Sequence, residues 1–247
     1  IIGGMNPYLA MVMAFGAGML AGLATGLFHT VFGIPPILSG ILTQLGLYSV
    51  NMRILGKSNQ AVSVDQYGLI VSLRYIQEAC ITAGICCLVI TFVLYWFFGT
   101  ELGAAVRATG CNQNMARAQG INTSSQKVLG LVISNGLVGV SGALYAQYQG
   151  SADVNMGRGA IVIGLAAVII GEVVFGKIFH NFALRMLAAV IGAIIYFIVI
   201  VIVLQLGLST NDLKLFSALI VALFLAIPHL KGRYFASAGR KGGSAGA

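Results

Sequence analysis

The sequence predicts an all-α fold: a polytopic helical integral membrane protein with about seven spans of roughly 20 residues each. Low charge carries most of that reading, since the 247 residues are 58% hydrophobic and only 8% charged. Mean hydropathy is +0.95, and several uncharged runs are long enough to cross a bilayer. A soluble domain of this length exposes far more charge to water. The 33 glycines fit the same class, because small residues let membrane helices approach closely.

The first span is read from Tyr8 to Phe28, with Gly18, Gly22 and Gly26 forming a small-residue stripe on one helical face. Gly16-x-Gly18 with Gly22 has the wrong spacing for a dinucleotide loop and reads as packing. Pro35-Pro36 interrupts the chain before a second span, Ile37 to Leu55, which carries Ser39, Thr43, Gln44 and Asn51. Polar side chains of that kind face other helices or a watery cavity rather than lipid. Lys57 to Tyr67 reads as a polar loop, and Arg74 to Phe98 as a third span closing on the aromatic run "YWFF". A fourth span, Gln126 to Tyr148, holds Ser134, Asn135 and Ser141. Gly159 to Phe175, Ala183 to Leu206 and Leu213 to Ile227 complete the count. Residues 1–234 form the membrane domain, and 235–247 are expected to be a disordered tail with a cloning scar.

Basic residues orient these spans. With the loop between Glu101 and Lys127 in the cytoplasm, Arg107, Arg117, Lys127, Lys177, Arg185, Lys231, Arg233, Arg240 and Lys241 all fall inside. Arg53, Lys57, Arg74, Arg158 and Lys214 fall outside or at the outer boundary, so the excess obeys the positive-inside rule. The net charge of +8 marks orientation rather than nucleic-acid binding. Cys80, Cys86, Cys87 and Cys111 contain no CxxC pair and read as small buried hydrophobes, not as a metal or disulfide framework.

The cytoplasmic loop (101–126) interrupts this apolar chain with "RATGCNQNMARAQGIN". Glu101 to Thr109 is expected to continue the third span out of the membrane until Gly110 stops it. Asn112 can then cap a short helix over Gln113 to Gln119, which Gly120 ends, and Asn122 to Ser124 offers a new cap for the fourth span. A bare connector needs fewer residues. The residues leave two uses open: docking into a partner's groove, or anchoring the loop on headgroups as an interfacial helix.

"ELGAAVRATGCNQNMARAQGIN" resembles the cytoplasmic signature of ABC-importer permeases of the branched-chain amino acid and ribose type. That pattern is approximately G-x-A-x-R-A-x-G-x-N-x-x-x-A-x-x-x-G-I. The chain matches it at Gly103, Ala105, Arg107, Ala108, Gly110, Asn112, Ala116, Gly120 and Ile121. "LVGVSGALYAQYQG" and "GRGAIVIGLAAVIIGEVVFG" extend the resemblance to Gly176. "GIPPILSGILTQLGLYSVNMRILG" is similar to permeases of aromatic-amino-acid importers. The family usually begins with one or two further spans, which implies that N-terminal spans precede this sequence.

The resemblance implies that the short helix is a coupling helix seated in a cleft of a cytoplasmic ATPase subunit. Arg107, Asn112 and Arg117 would contact the ATPase or fix the loop, Met115 and Ala116 would supply apolar surface, and Gly120 and Ile121 would close the helix. It further implies two permease copies, an extracellular binding lipoprotein meeting the loops near Asn59–Tyr67 and Gly150–Gly159, and a bacterial plasma membrane. The coupling loop and C-terminus would be cytoplasmic. ATP and magnesium would be bound by the partner ATPase, with no cofactor and no metal in this chain. No G-x-x-x-x-G-K-[ST] is present: Gly56-Lys57-Ser58 has only its tail, with Asn51 in the first glycine's place. Neither HExxH, GxSxG nor a paired carboxylate motif appears, so no catalytic residue is expected.

Candidates for a substrate path are the uncharged Ser39, Thr43, Gln44, Ser134, Asn135 and Ser141; the alternative for each is a hydrogen bond between helices. Glu78 and Glu172 are functional candidates by default as carboxylates in apolar spans, with pairing to Arg74 and to Lys177 or the loop arginines as the favoured reading. His29, His180 and His229 read as interface residues near span ends. The expected cargo is an amino acid, aromatic or branched-chain, with a sugar or nucleoside second. An ion-coupled carrier built on Glu78 or Glu172, or a scaffold with no transport cycle, would be the rival classes.

Overall fold

The computed structural model describes residues 4–62, 68–157, 160–176 and 181–205, with Leu215, Leu219 and Ala222 beyond them. Apart from those three residues, which are helical, the expected seventh span lies outside the described residues, as does the 235–247 tail. The chain divides after Gly157 into two units, and its regular structure is helical apart from one short ribbon.

The first unit opens with α1 (Pro7–Thr30), capped by Asn6, whose Oδ1 accepts the Tyr8 N–H at 3.1 Å. Pro7 in the first turn loses nothing, because its missing N–H would have had no helical partner. The expected glycine stripe is the seam between α1 and α6 (Thr123–Gln149). A Cβ on Gly18 would overlap the carbonyl oxygen of Asn135, and one on Gly22 that of Leu131. From the other side, Gly139 receives the Ala14 carbonyl and Gly136 the ring of Phe15. Backbone thus packs on backbone, which is how helices associate where lipid removes the hydrophobic driving force.

The second helix, α2 (Pro36–Leu55), starts at the double proline and stops at Gly56. It is pinned to α1 by Thr25, whose hydroxyl donates to Thr43 Oγ1 at 2.9 Å. Beyond it, β1 (Asn59–Ala61) pairs antiparallel with β2 (Ser151–Asp153), in the register Asn59 to Asp153 and Ala61 to Ser151. Val62 N–H to the Gly150 carbonyl (2.8 Å) and Val154 N–H to the Ser58 carbonyl (3.0 Å) extend this ribbon. Both strands fall in stretches read as loop. Three residues offer no alternation to detect, and the pairing partner is supplied from a distant part of the chain.

The third helix, α3 (Ile76–Gly99), begins two residues after the expected Arg74. It does not continue outward through Glu101. Thr100 adopts an extended conformation and its Oγ1 accepts the Gly103 N–H at 3.3 Å, starting a separate helix, α4 (Glu101–Cys111). Gly103 makes the reversal possible, since a Cβ there would overlap the Phe97 carbonyl oxygen. Gly110 does not stop α4 either; it stays helical, and the break comes at Asn112, with φ −153° and ψ 106°. A glycine in a helix costs about 1 kcal/mol but does not end it without a left-handed φ. The short helix α5 (Gln113–Ala118) follows, then α6, three residues ahead of the expected Gln126.

The second unit is the pair α7 (Ala160–Phe175) and α8 (Phe182–Gln205). Gly171 packs on the Ala188 carbonyl and Gly192 on that of Ala167, while Ala166, Ile170 and Tyr196 form its core. Among the described residues, four helices are long and apolar enough to cross a membrane: α1, α3, α6 and α8. The mostly helical, membrane-type fold is therefore observed, with α2 and the described part of α7 falling short of that measure.

Candidate functional site

The loop between α3 and α6 is built almost wholly from hydrogen bonds that its own sequence dictates. Asn112 Oδ1 accepts the N–H groups of Asn114 (3.0 Å) and Met115 (3.1 Å), two of the donors a helix start leaves orphaned. At the far end Gly120 has φ +81°, a left-handed conformation that only glycine adopts cheaply. Its N–H reaches the Arg117 carbonyl at 2.9 Å, and the Ile121 N–H reaches that of Ala116 at 3.0 Å. That pair of bonds is the Schellman closure. Asn122 then caps α6 through Ser125 N–H at 3.3 Å.

Arg117 joins the two helices: its Nε donates to Thr123 Oγ1 at 3.0 Å, and Thr123 is buried in the first turn of α6. The two apolar candidates on α5 part company. Ala116 is 2% exposed and turned into the loop, while Met115 is 63% exposed. The surface α5 offers is thus Met115 flanked by polar side chains. Arg107 lies one helix earlier, exposed on α4. Asn112, Met115, Ala116, Arg117, Gly120 and Ile121 therefore form one compact unit rigidly continued by α6.

The pathway candidates do not converge. Ser39 is fully buried, donating to the Pro36 carbonyl at 2.8 Å. Thr43 donates to the Ser39 carbonyl at 2.9 Å and faces Thr25, so both line the α1–α2 seam. Gln44, one position further round α2, is exposed. Asn135 donates to the Leu131 carbonyl at 2.9 Å beside the α1–α6 crossing, whereas Ser134 and Ser141 lie on the exposed face of α6.

Two residues escaped the sequence reading. Thr25 sits among glycines and alanines, with no spacing to announce a partner on α2. Gln147, 2% exposed in the last turns of α6, accepts the Ile70 N–H at 3.1 Å through Oε1, while its Nε2 is buried with no hydrogen-bond partner. It fastens the segment before α3 to the end of α6. Nothing in the sequence marks a contact between residues so far apart.

Glu78 occupies the first turn of α3, where the positive end of the helix dipole favours a carboxylate. Lys177, the expected partner of Glu172, lies outside the described residues; Glu172 lines a cleft with Arg185.

A family model for the permease component of branched-chain amino acid transport systems matches residues 2–228. The chain belongs to this permease family. A tyrosine transport system permease protein of Clostridioides difficile (strain R20291) is 39% identical over 231 residues, covering 92% of this chain and 75% of the relative. The galactofuranose transporter permease protein YtfT of Escherichia coli (strain K12) is 26% identical over 201 residues, covering 78% and 56%. A nucleoside ABC transporter permease protein of Lactococcus lactis subsp. cremoris (strain MG1363) is 36% identical over 87 residues, covering 34% and 27%. No solved structure matches the chain. The protein is accordingly an ABC permease, a membrane transport component of a kind that works with an ATPase and a substrate-binding protein. The ion-coupled carrier and the inert scaffold give way to this assignment.

Proposed function

We propose that this permease imports an aromatic amino acid across a bacterial plasma membrane, as one half of a homodimer with about seven spans per chain. ATP and magnesium are held by a separate ATPase, and this chain carries neither cofactor nor catalytic residue. The observation that carries the proposal is α5, a six-residue helix locked at both ends and bonded to α6 by Arg117 and Thr123. Such an element moves as one piece with α6. Met115 meets the ATPase, Arg107 and Arg117 flank it, and closure of the ATPase pulls α5 toward the cytoplasm. Displacement then passes along α6 to the ribbon of β1 and β2, where a binding protein delivers its cargo. The candidates Ser39, Thr43, Gln44, Ser134, Asn135 and Ser141 tune how the helices slide and what lines the path between them.

An aromatic cargo is favoured by the similarity to the tyrosine permease over nearly the whole chain. The galactofuranose and nucleoside relatives support a sugar or nucleoside as second reading. The test is reconstitution with its partner ATPase and substrate-binding protein. Tyrosine-loaded binding protein is expected to stimulate ATP hydrolysis and uptake together, with ribose or a nucleoside inert. Stimulation by sugar alone would move the assignment to the second reading. Uptake that persists without ATP and stops when the proton gradient collapses would overturn both.

A further inference from the structure

Where α7 ends and α8 begins, a cleft of about 390 Å³ is lined by Val168, Glu172, Phe175, Gly176, Arg185, Ala188 and Ala189. Two opposite charges share it with an apolar floor. Among the described residues, neither the Glu172 nor the Arg185 side chain has a hydrogen-bond or ion-pair partner, although both line the same small space. Each also sits against an adverse dipole. Glu172 lies in the last turn of α7, where the carbonyl ends are already negative, and Arg185 in the first turn of α8, where the amide ends are positive. An ion pair between the two side chains would relieve both charges, and among the described residues none is formed.

The cleft therefore presents a negative wall and a positive wall at fixed places. The ligand that satisfies both is a zwitterion with an ammonium toward α7 and an anion toward α8. Its surroundings select the source. Leu165 and Val168 are 53% and 50% exposed on α7, seven and four residues before Glu172 and so on its face, and an apolar surface continues from the cleft along the helix. Helix ends carrying charges beside such a surface belong at the level of lipid headgroups. We propose that this cleft binds a zwitterionic phospholipid whose headgroup has a primary ammonium and a phosphate, of the phosphatidylethanolamine type. Arg185 takes the phosphate through its planar fork, Glu172 accepts from the ammonium, and the acyl chains run along Val168 and Leu165. A choline headgroup has no N–H to give Glu172, and a glycerol headgroup has no cation, so the site discriminates among common lipids. The proposal rests on the membrane assignment and is independent of the cargo or the ATPase.

The full chain in nanodiscs of equal phosphatidylethanolamine, phosphatidylcholine and phosphatidylglycerol tests it, with retained lipid read by native mass spectrometry. The wild type is expected to retain the ethanolamine lipid over each of the others by about fivefold or more, and Glu172→Gln and Arg185→Gln to bring this to about twofold or less. Arg185→Lys and Glu172→Asp keep the charges and guard against loss of fold; they are expected to keep the order of preference. Equal retention of all three lipids by the wild type would overturn the site, as would a preference that both glutamine variants preserve. Preference for phosphatidylglycerol lost only in Arg185→Gln would reduce it to a plain basic patch. Displacement of the lipid by free tyrosine would make it a solute cleft instead.

Discussion

Asn112 serves two helices at once, ending α4 by its extended backbone and starting α5 by its side chain. Asn112→Ala is expected to cost about 1 kcal/mol of local stability, the usual worth of a cap. Hydrogen exchange reads it directly: the amides of Asn114 and Met115 should exchange faster while those in the middle of α6 do not change. Gly120→Ala is expected to cost about 1–2 kcal/mol, because φ +81° forces a Cβ into a left-handed backbone. Met115 stands apart from both, since its side chain is exposed and the bonds of the loop use only its backbone. Met115→Asp should therefore leave the exchange pattern intact yet lower co-purification of the ATPase well below the wild-type ratio. An unchanged ratio would return α5 to the anchoring role that the sequence alone leaves open. Anchoring and docking were inseparable at that level because each needs an exposed apolar side chain between polar neighbours, which is what Met115 provides.

Between α1 and α6 the decisive elements are missing side chains. Gly22→Leu should wedge the helices apart and destabilise the protein by about 1–3 kcal/mol, as overpacking generally does. Gly84→Leu on α3 is the matched control, since nothing lies within 4 Å of a Cβ there. A thermal melt in one detergent compares them, and an equal effect of the two would remove the seam as the explanation. This seam was legible in the sequence because Gly18, Gly22 and Gly26 recur with the period of one helical face. The caps at Asn112 and Asn122 and the stop at Gly120 were legible too, because each depends on a residue type acting on its neighbours. The bend at Thr100 was not: a threonine followed by Glu101, Leu102 and, after Gly103, two alanines suits a continuing helix equally well, and only the close approach of Gly103 to Phe97 shows the bend. The β1–β2 ribbon and the bond from Gln147 to Ile70 were invisible for another reason. Both depend on which distant segments the helices bring together, and no local pattern encodes that.

Across the first unit, α6 sets the topology by its length. Its 27 residues span about 40 Å, more than the roughly 30 Å of a bilayer's hydrocarbon core. The loop between α3 and α6 is bonded to its first turn through Thr123, and the ribbon leaves its last turn through Gly150 and Ser151. If α6 crosses the membrane, α5 and the ribbon must lie on opposite faces, and the end of α2, which leads into β1, must lie on the ribbon side. Single cysteines decide this in a background where Cys80, Cys86, Cys87 and Cys111 are replaced by serine. A membrane-impermeant thiol reagent is expected to label Ala152→Cys in intact cells and to reach Met115→Cys only after the membrane is opened. Gln60→Cys, opposite Ala152 in the ribbon, should follow Ala152 and not Met115. Labelling of positions 60 and 115 from the same side would break the chain of inference at α6. Transmission from an ATPase on one face to delivery on the other then could not run along that helix.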